Sequence, residues 1–399
     1  MTILSLEDQL EDLLSEPLTS AKERERSTFD ELTAPFEQIV LFGAGNMGRK
    51  ALRILRSHGI EPLAFADNAT AVWGQEIDGL KVLSPADAAH KFGQIAAFIV
   101  TVFSPGGYFL PIRRQLCECH CTKVVPLPPL CWKYPQEFLP HMLLDLPHRI
   151  LQQKDDVRKA FSLLEDEASR SEYVAQVRWR LLQDYDALPP AIDQESYFPE
   201  DLFRLTQDEV FVDCGAYDGD TIKAFLRRRL DFGKILAYEP DPMNFARLES
   251  YLAELPSTIR DRISARRSAV GASKGKVRFE AGGTVGSKVS RQGEVEVECD
   301  TLDALLDVCD PTYVKMDIEG AELEALQGAR KMIRRNCVTW AICLYHKPAD
   351  LWQIPIFIHS HSTDYSFFVR KYMSEFWETV CYAVPKSRMA EDVPNSLAP

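Results

Sequence analysis

The chain has 399 residues, of which 46 % are hydrophobic and 26 % charged, a soluble globular composition long enough for two or three domains and incompatible with wholesale disorder. Forty-six Lys and Arg against 59 Asp and Glu leave a net charge of −13, which argues against a general binder of nucleic acid or anionic membrane. Ten cysteines are too few for a disulfide scaffold, and the longest apolar run, Ile95 to Phe103, is far below the ~20 residues of a membrane span. The opening Met1-Thr-Ile-Leu-Ser-Leu-Glu-Asp turns acidic at once and lacks the basic start of a secretory signal. The expectation is a cytoplasmic chain with reduced thiols and no nucleic-acid or membrane partner, with homo-oligomerisation left open.

Residues 1–35 read as a helical appendage. Ser5 with Asp8 three positions on resembles a capping box, Leu6, Leu10, Leu13 and Leu14 share one face, and Pro35 closes the stretch. Residues 36–135 alternate strands and helices. Gln38 to Phe42, Glu61 to Ala66, Ala96 to Phe103 and Lys123 to Pro126 are the strands, with helices at Arg49 to His58 and Leu110 to Cys119. Such alternation predicts a parallel sheet. Residues 136–204 predict a helical connector, since Arg149 to Tyr185 lacks Gly and Pro and spaces Val157, Ala160, Phe161 and Leu164 as a helix does. Residues 205–385 form a second alternating unit, and 386–399 a loose tail without periodicity. The fold class is therefore α/β: two Rossmann-like parallel-sheet domains joined by a helical connector.

Gly43-Ala44-Gly45-Asn46-Met47-Gly48 follows a strand and opens a helix, the context in which G-x-G-x-x-G signifies a nucleotide site. Glycine is needed where the backbone must turn tightly and approach a pyrophosphate. Asp67 ends the next strand about 20 residues on, where an acid can accept hydrogen bonds from ribose hydroxyls. A glycine turn that holds no ligand is the competing view. No dehydrogenase-type catalytic set follows. Phe65-Ala-Asp67-Asn68 through Trp73-Gly74, then Ile77-Asp-Gly79-Leu-Lys-Val82-Leu-Ser-Pro85, resembles the small nucleotide-binding domains at the front of sugar-modifying enzymes. That resemblance implies binding of a nucleotide, NAD(P) or a nucleotide-sugar, without hydride chemistry. Cys117, Cys119, His120 and Cys121 crowd one segment but have no partner pair at zinc-finger spacing, so no metal site is assigned to them.

Glu209-Val-Phe-Val-Asp213-Cys-Gly215-Ala216-Tyr-Asp218-Gly219-Asp-Thr221 is an apolar strand ending in an acid, then a glycine turn, then a helix start. The spacing departs from the dinucleotide pattern. S-adenosylmethionine carries an ammonium, a carboxylate and a sulfonium but no phosphate, and an acid beside the turn suits its cationic end. Glu239 ends the next strand about 20 residues after Gly219, placed to hold both ribose hydroxyls. Pro240 and Asp241 follow it. Ala265 to Val270 reads as a third strand carrying Ser268 and Ala269 towards an adenine. A β-rich insertion spans Lys276 to Glu298, and Tyr313-Val-Lys315-Met-Asp317 is the fourth parallel strand. Ligands gather at the carboxyl ends of strands in open α/β sheets, so Asp213, Glu239, Ser268 and Asp317 should converge.

Residues 205–385 resemble the FkbM family of S-adenosylmethionine-dependent methyltransferases. The likeness rests on the Asp213 to Thr221 block, on Tyr238-Glu239-Pro240-Asp241-Pro242, on Lys315-Met-Asp317-Ile-Glu319-Gly320-Ala-Glu322, and on Leu344-Tyr345-His346-Lys347-Pro348 with Glu378-Thr-Val-Cys-Tyr382. One departure is Arg370-Lys371-Tyr372, where relatives often carry Arg-His-Tyr. The resemblance implies a class I methyltransferase fold and methyl transfer to a hydroxyl, commonly on a sugar or a polyketide, with a sugar or glycoside as the expected acceptor. Alignment of oxygen, methyl and sulfur is then the main task, with a base to take the hydroxyl proton. Candidates for the base are Asp317, Glu319, Lys315 and His346. Asp317 and Glu319 holding magnesium with the acceptor's hydroxyls is an alternative. Two competing functions stay open at this level: an NAD(P)-dependent oxidoreductase centred on Gly43 to Asp67, and a non-enzymatic nucleotide-binding scaffold.

Overall fold

The computed structural model describes residues 4–229, 231–283, 286–290 and 293–390, so most of the expected tail lies outside the described residues. The chain forms two units, one of Met1–Lys154 with Ala175–Pro190 and Met373–Glu375, the other of Asp155–Val174, Ala191–Tyr372 and Phe376–Pro399.

In the first unit, helix Leu6–Leu14 starts at Ser5, whose Oγ accepts the Asp8 N–H at 3.1 Å, and it buries Leu10, Leu13 and Leu14. Helix Leu18–Thr33 buries Ala21 and Phe29, and also Glu25, whose carboxylate meets His148 Nδ1 at 2.8 Å. The strands are β1 (Gln38–Phe42), β2 (Ala64–Ala66), β3 (Glu76–Ile77), β4 (Leu80–Leu83), β5 (Ala96–Val100) and β6 (Val124–Pro126). They pair in the order β3-β4-β2-β1-β5-β6, parallel throughout except for the β3–β4 hairpin. Ile39 to Phe42 of β1 and all of β5 are buried, as strands covered on both faces must be. The second strand is shorter than its sequence suggests. Pro62 has no N–H to give a ladder, and pairing begins at Ala64.

The second unit contains β7 (Val210–Cys214), β8 (Lys234–Tyr238), β9 (Ile263–Arg266), β10 (Ser268–Val270), β11 (Gly275–Glu280), β12 (Lys288–Val289), β13 (Val295–Asp300), β14 (Tyr313–Met316), β15 (Thr339–Cys343), β16 (Tyr365–Lys371) and β17 (Thr379–Pro385). Seven of them form a sheet in the order β16-β17-β15-β14-β7-β8-β9, parallel except where β17 runs against both β15 and β16. This is the class I methyltransferase arrangement. On one side its centre is aromatic, with Phe211 stacked on both Phe225 and Tyr313 at ring distances of 5.1 Å.

One expectation is corrected. Ala265 to Val270 is not a single strand: Ile263–Arg266 pairs with β8, whereas Ser268–Val270 pairs with β13 in a separate four-stranded sheet, order β10-β13-β11-β12. The chain changes sheets at exposed Arg267, so no one strand carries both halves. The residues from 136 to 204 are helical in pieces, Pro147–Leu151, Lys154–Ser162 and Glu167–Leu182 among them.

Candidate functional site

Parallel register places the first pair. Asp213 on β7 stands directly opposite Lys315 on β14, so their side chains share one face, and Lys315 Nζ lies 3.2 Å from Asp213 Oδ1. Both side chains are buried. Burial pushes the Asp213 carboxyl up to about 6 although Lys315 opposes it. Burial would lower the Lys315 ammonium, but Asp213 and Asp317 outweigh it and hold it well above its ordinary value. Lys315 also donates to the Gly215 carbonyl at 2.7 Å, which ties the ion pair to the turn above it.

That turn requires glycine. Gly215 has φ +80°, and a Cβ there would sit 1.9 Å from the Asp317 carbonyl oxygen. The N–H groups of Gly215 and Ala216 both reach the Tyr238 carbonyl at 3.0 Å, so the turn is threaded between the ends of β8 and β14. Gly219 and Thr221 follow at the start of helix Asp220–Arg228. Glu239, just past β8, accepts the Tyr217 N–H on Oε2 and the Asp241 N–H on Oε1, each at 2.8 Å. Burial raises its carboxyl to about 7. Asp213, Glu239 and Asp317 thus stand at the carboxyl ends of three neighbouring strands around one glycine turn.

Ser268 and Ala269 follow the point where the chain changes sheets. They lie on β10, and the Ser268 hydroxyl is within 3.0 Å of the Ala269 carbonyl and 3.1 Å of that of Glu298, inside the smaller sheet. Asp241 caps helix Pro242–Glu254 through Met243 and Asn244, and its other oxygen accepts the N–H groups of Gly282 and Gly283 and the Ser287 hydroxyl. A residue readable as a turn acid therefore also anchors the loop of the β-rich insertion.

Around Asp317 the groups become dense. Tyr197 OH donates to Oδ2 at 3.0 Å, and His346 Nε2 lies 3.3 Å from Oδ1. The other imidazole nitrogen, Nδ1, is 2.7 Å from Glu322 Oε1, and Glu319 Oε2 is 3.9 Å from Nε2. Burial alone would lower the His346 imidazolium, but Glu322, Asp317 and Glu319 raise it to about 10. Burial works to raise Asp317, and Lys315 with His346 overcomes it, leaving that carboxyl below its usual range. Burial carries Glu319 up to about 7, and Glu378, whose Oε2 lies 3.5 Å from Tyr197 OH, to about 7 as well. Glu319 itself holds φ +55°, a backbone state that a long side chain adopts only under constraint.

Sequence reasoning assigned no role to Glu322, Tyr197 or Glu378. Glu322 was legible in principle, since it shares the Asp317-x-Glu-Gly-x-Glu run and one helical turn carries it back to the Ile318 N–H, which it accepts at 3.0 Å. Tyr197 comes from a proline-flanked loop without periodicity and had no signal. The departure at Arg370-Lys371 falls on β16, where Arg370 pairs with Asp166 at 2.6 Å and Lys371 Nζ lies 3.4 Å from Glu172.

The other glycine motif stays within the first unit. Gly45 caps helix Asn46–Ser57, Asn46 and Met47 form its first turn, and a Cβ on Gly48 would sit 1.8 Å from the Gly43 carbonyl oxygen. Asp67 accepts the Ala44 N–H at 2.7 Å and the Ala69 N–H at 2.8 Å. All ten cysteines are free, and of the described residues only Asp317, Glu319 and His346 group as metal-ligating side chains. No described helix is long and apolar enough to cross a membrane.

Residues 213–378 match the Methyltransferase FkbM domain. Hexuronic acid methyltransferase AglP of Haloferax volcanii is 29 % identical over 160 residues, 38 % of this chain and 64 % of that protein, so the match spans less than two thirds of the relative. The crystal structure of Methyltransferase FkbM from Methylobacillus flagellatus KT superposes on 95 % of this chain and 99 % of its own, with a TM-score of 0.72 at 20 % identity, a likeness of fold. The second unit therefore carries a methyltransferase domain of the FkbM type.

Proposed function

We propose that the chain is an S-adenosylmethionine-dependent O-methyltransferase acting on a hydroxyl of a sugar or related natural product. The observation that carries this reading is the meeting of Asp213, Glu239 and Asp317 at three adjacent strand ends, within the stretch that matches the FkbM domain. The residues suit the cofactor. Both oxygens of buried Asp213 lack a hydrogen-bond partner beyond the ion pair with Lys315, and each Glu239 oxygen, after taking one backbone N–H, keeps lone pairs for a ribose hydroxyl. S-adenosylmethionine, when bound, supplies a methyl group made electrophilic by its sulfonium.

The chain's own residues do the rest. Glu239 fixes the ribose, and the Asp213–Lys315 pair holds the glycine turn from below. Lys315 is no base, because two carboxylates keep it charged. The acceptor's proton passes to Glu319, whose carboxyl burial raises to about 7, while Asp317 and the already charged His346 stand beside it. Preference for a sugar draws on the name of the Haloferax relative. The Gly43 to Gly48 turn with Asp67 is read as a second nucleotide site that binds without hydride chemistry; the oxidoreductase alternative has no observation in its favour.

The test is incubation with methyl-labelled S-adenosylmethionine and a panel of sugars, glycosides and nucleotide-sugars. Label should enter a hydroxyl of one class and fall at least tenfold in Glu239→Ala. Absence of transfer to every acceptor, together with no binding of S-adenosylhomocysteine, overturns the proposal.

A further inference from the structure

We propose that Asp317, Glu319 and His346 form a binding site for one first-row divalent cation, of the manganese or zinc kind. The ligand atoms of these three side chains all lie within 4.8 Å of one another. His346 carries the case. Its side chain is almost wholly buried, yet Nε2 makes no hydrogen bond, although it stands 3.3 Å from Asp317 Oδ1 and 3.9 Å from Glu319 Oε2. A buried ring nitrogen among carboxylates needs a positive charge beside it, either its own proton or a metal ion.

The second ring nitrogen is arranged as a metal-bound histidine requires. Glu322 Oε1 sits 2.7 Å from Nδ1 and is itself fixed by the Ile318 N–H at 3.0 Å. A carboxylate on one imidazole nitrogen holds the proton there and turns the lone pair of the other outward, the arrangement that supports metal-bound histidines. With that tautomer His346 offers Nε2 as a neutral ligand, and Asp317 and Glu319 add two negative oxygens. One nitrogen and two carboxylates favour a first-row ion over magnesium or calcium, which prefer oxygen alone. Contact separations of 3.3 and 3.9 Å need only a modest contraction to become neighbouring ligands at the ~2.1 Å bond lengths usual for such ions.

The backbone agrees. Glu319 holds φ +55° and Gly320 φ +96°, consecutive left-handed residues that return the chain sharply after Asp317 and bring the second acid back beside the first. Tyr197 donates to the far oxygen of Asp317, leaving Oδ1 on the histidine side. Three protein ligands leave half of an octahedral shell for water. On the methyl-transfer reading, from which the site itself is independent, adjacent hydroxyl oxygens of the acceptor would take those positions.

The experiment uses the full chain, treated with chelator and dialysed, then titrated with Mn²⁺ alone while the free ion is followed by electron paramagnetic resonance. One equivalent should bind. Glu319→Gln and His346→Gln should each weaken it at least tenfold, with unchanged circular dichroism, while Glu239→Ala should keep it. Zn²⁺ should displace the bound Mn²⁺. Failure to bind at millimolar Mn²⁺, or binding unaltered in both ligand variants, overturns the site. Loss of the metal with S-adenosylhomocysteine binding intact would remove this inference and leave the proposed function standing.

Discussion

The two units share a local grammar and differ in what surrounds it. Each has a strand, a glycine at positive φ, a helix, and an acid past the next strand that accepts an N–H from the turn: Ala44 to Asp67 at 2.7 Å in the first, Tyr217 to Glu239 at 2.8 Å in the second. In the second unit the strand ends also carry buried ionised groups, Asp213 against Lys315 and Asp317 against His346. In the first, β5 ends at Val100, and the hydroxyl of the next residue, Thr101, bonds the Phe42 and Gly43 carbonyls. A glycine turn with its acid suits a nucleoside. Chemistry asks for charge held out of water, and among the described residues the second unit places it at its strand ends.

The strongest way to break this contrast is to remove the cation of the buried pair. Lys315→Met leaves Asp213 fully buried and unpaired, and should cost about 3–5 kcal/mol of stability, read by denaturant unfolding. Asp67→Asn in the first unit removes a half-buried acid and should cost less than about 1.5 kcal/mol. Equal effects would erase the distinction.

Next in size is ligand affinity. Glu239→Ala should weaken S-adenosylhomocysteine binding by tenfold or more, equivalent to about 1.4 kcal/mol, in a calorimetric titration.

A third effect sharpens the role of Asp213. Its carboxyl titrates at about 6 in the folded chain, above the unfolded value, so the folded state binds this proton more readily. Its contribution to stability therefore rises as pH falls from about 6 towards about 4, whereas binding of a cationic cofactor, which uses the carboxylate, falls over the same window. The two profiles should move in opposite directions, and both differences should vanish in Asp213→Asn.

Much of the architecture was legible because it follows from short-range rules. Alternating strands and helices, the glycine turns and the acids at strand ends all have local signatures, and Ser5 with Asp8 capped a helix as its spacing requires. The strand expected over Ala265 to Val270 divides for a non-local reason. Nothing in Ala265 to Val270 marks the point where the chain leaves one sheet for another, because pairing with β13 depends on residues about 30 positions later. The histidine cluster was half legible. Asp317, Glu319 and His346 stood out as residue types, but Tyr197 and Glu378 approach only through tertiary packing.

The central claim is that the second glycine turn, and not the first, holds the sulfonium cofactor. Calorimetric titration of S-adenosylhomocysteine into wild type, Glu239→Ala and Asp67→Ala tests it directly. Saturable binding by wild type and Asp67→Ala, with loss in Glu239→Ala, is the expected result. Binding that survives in Glu239→Ala and disappears in Asp67→Ala would contradict the account.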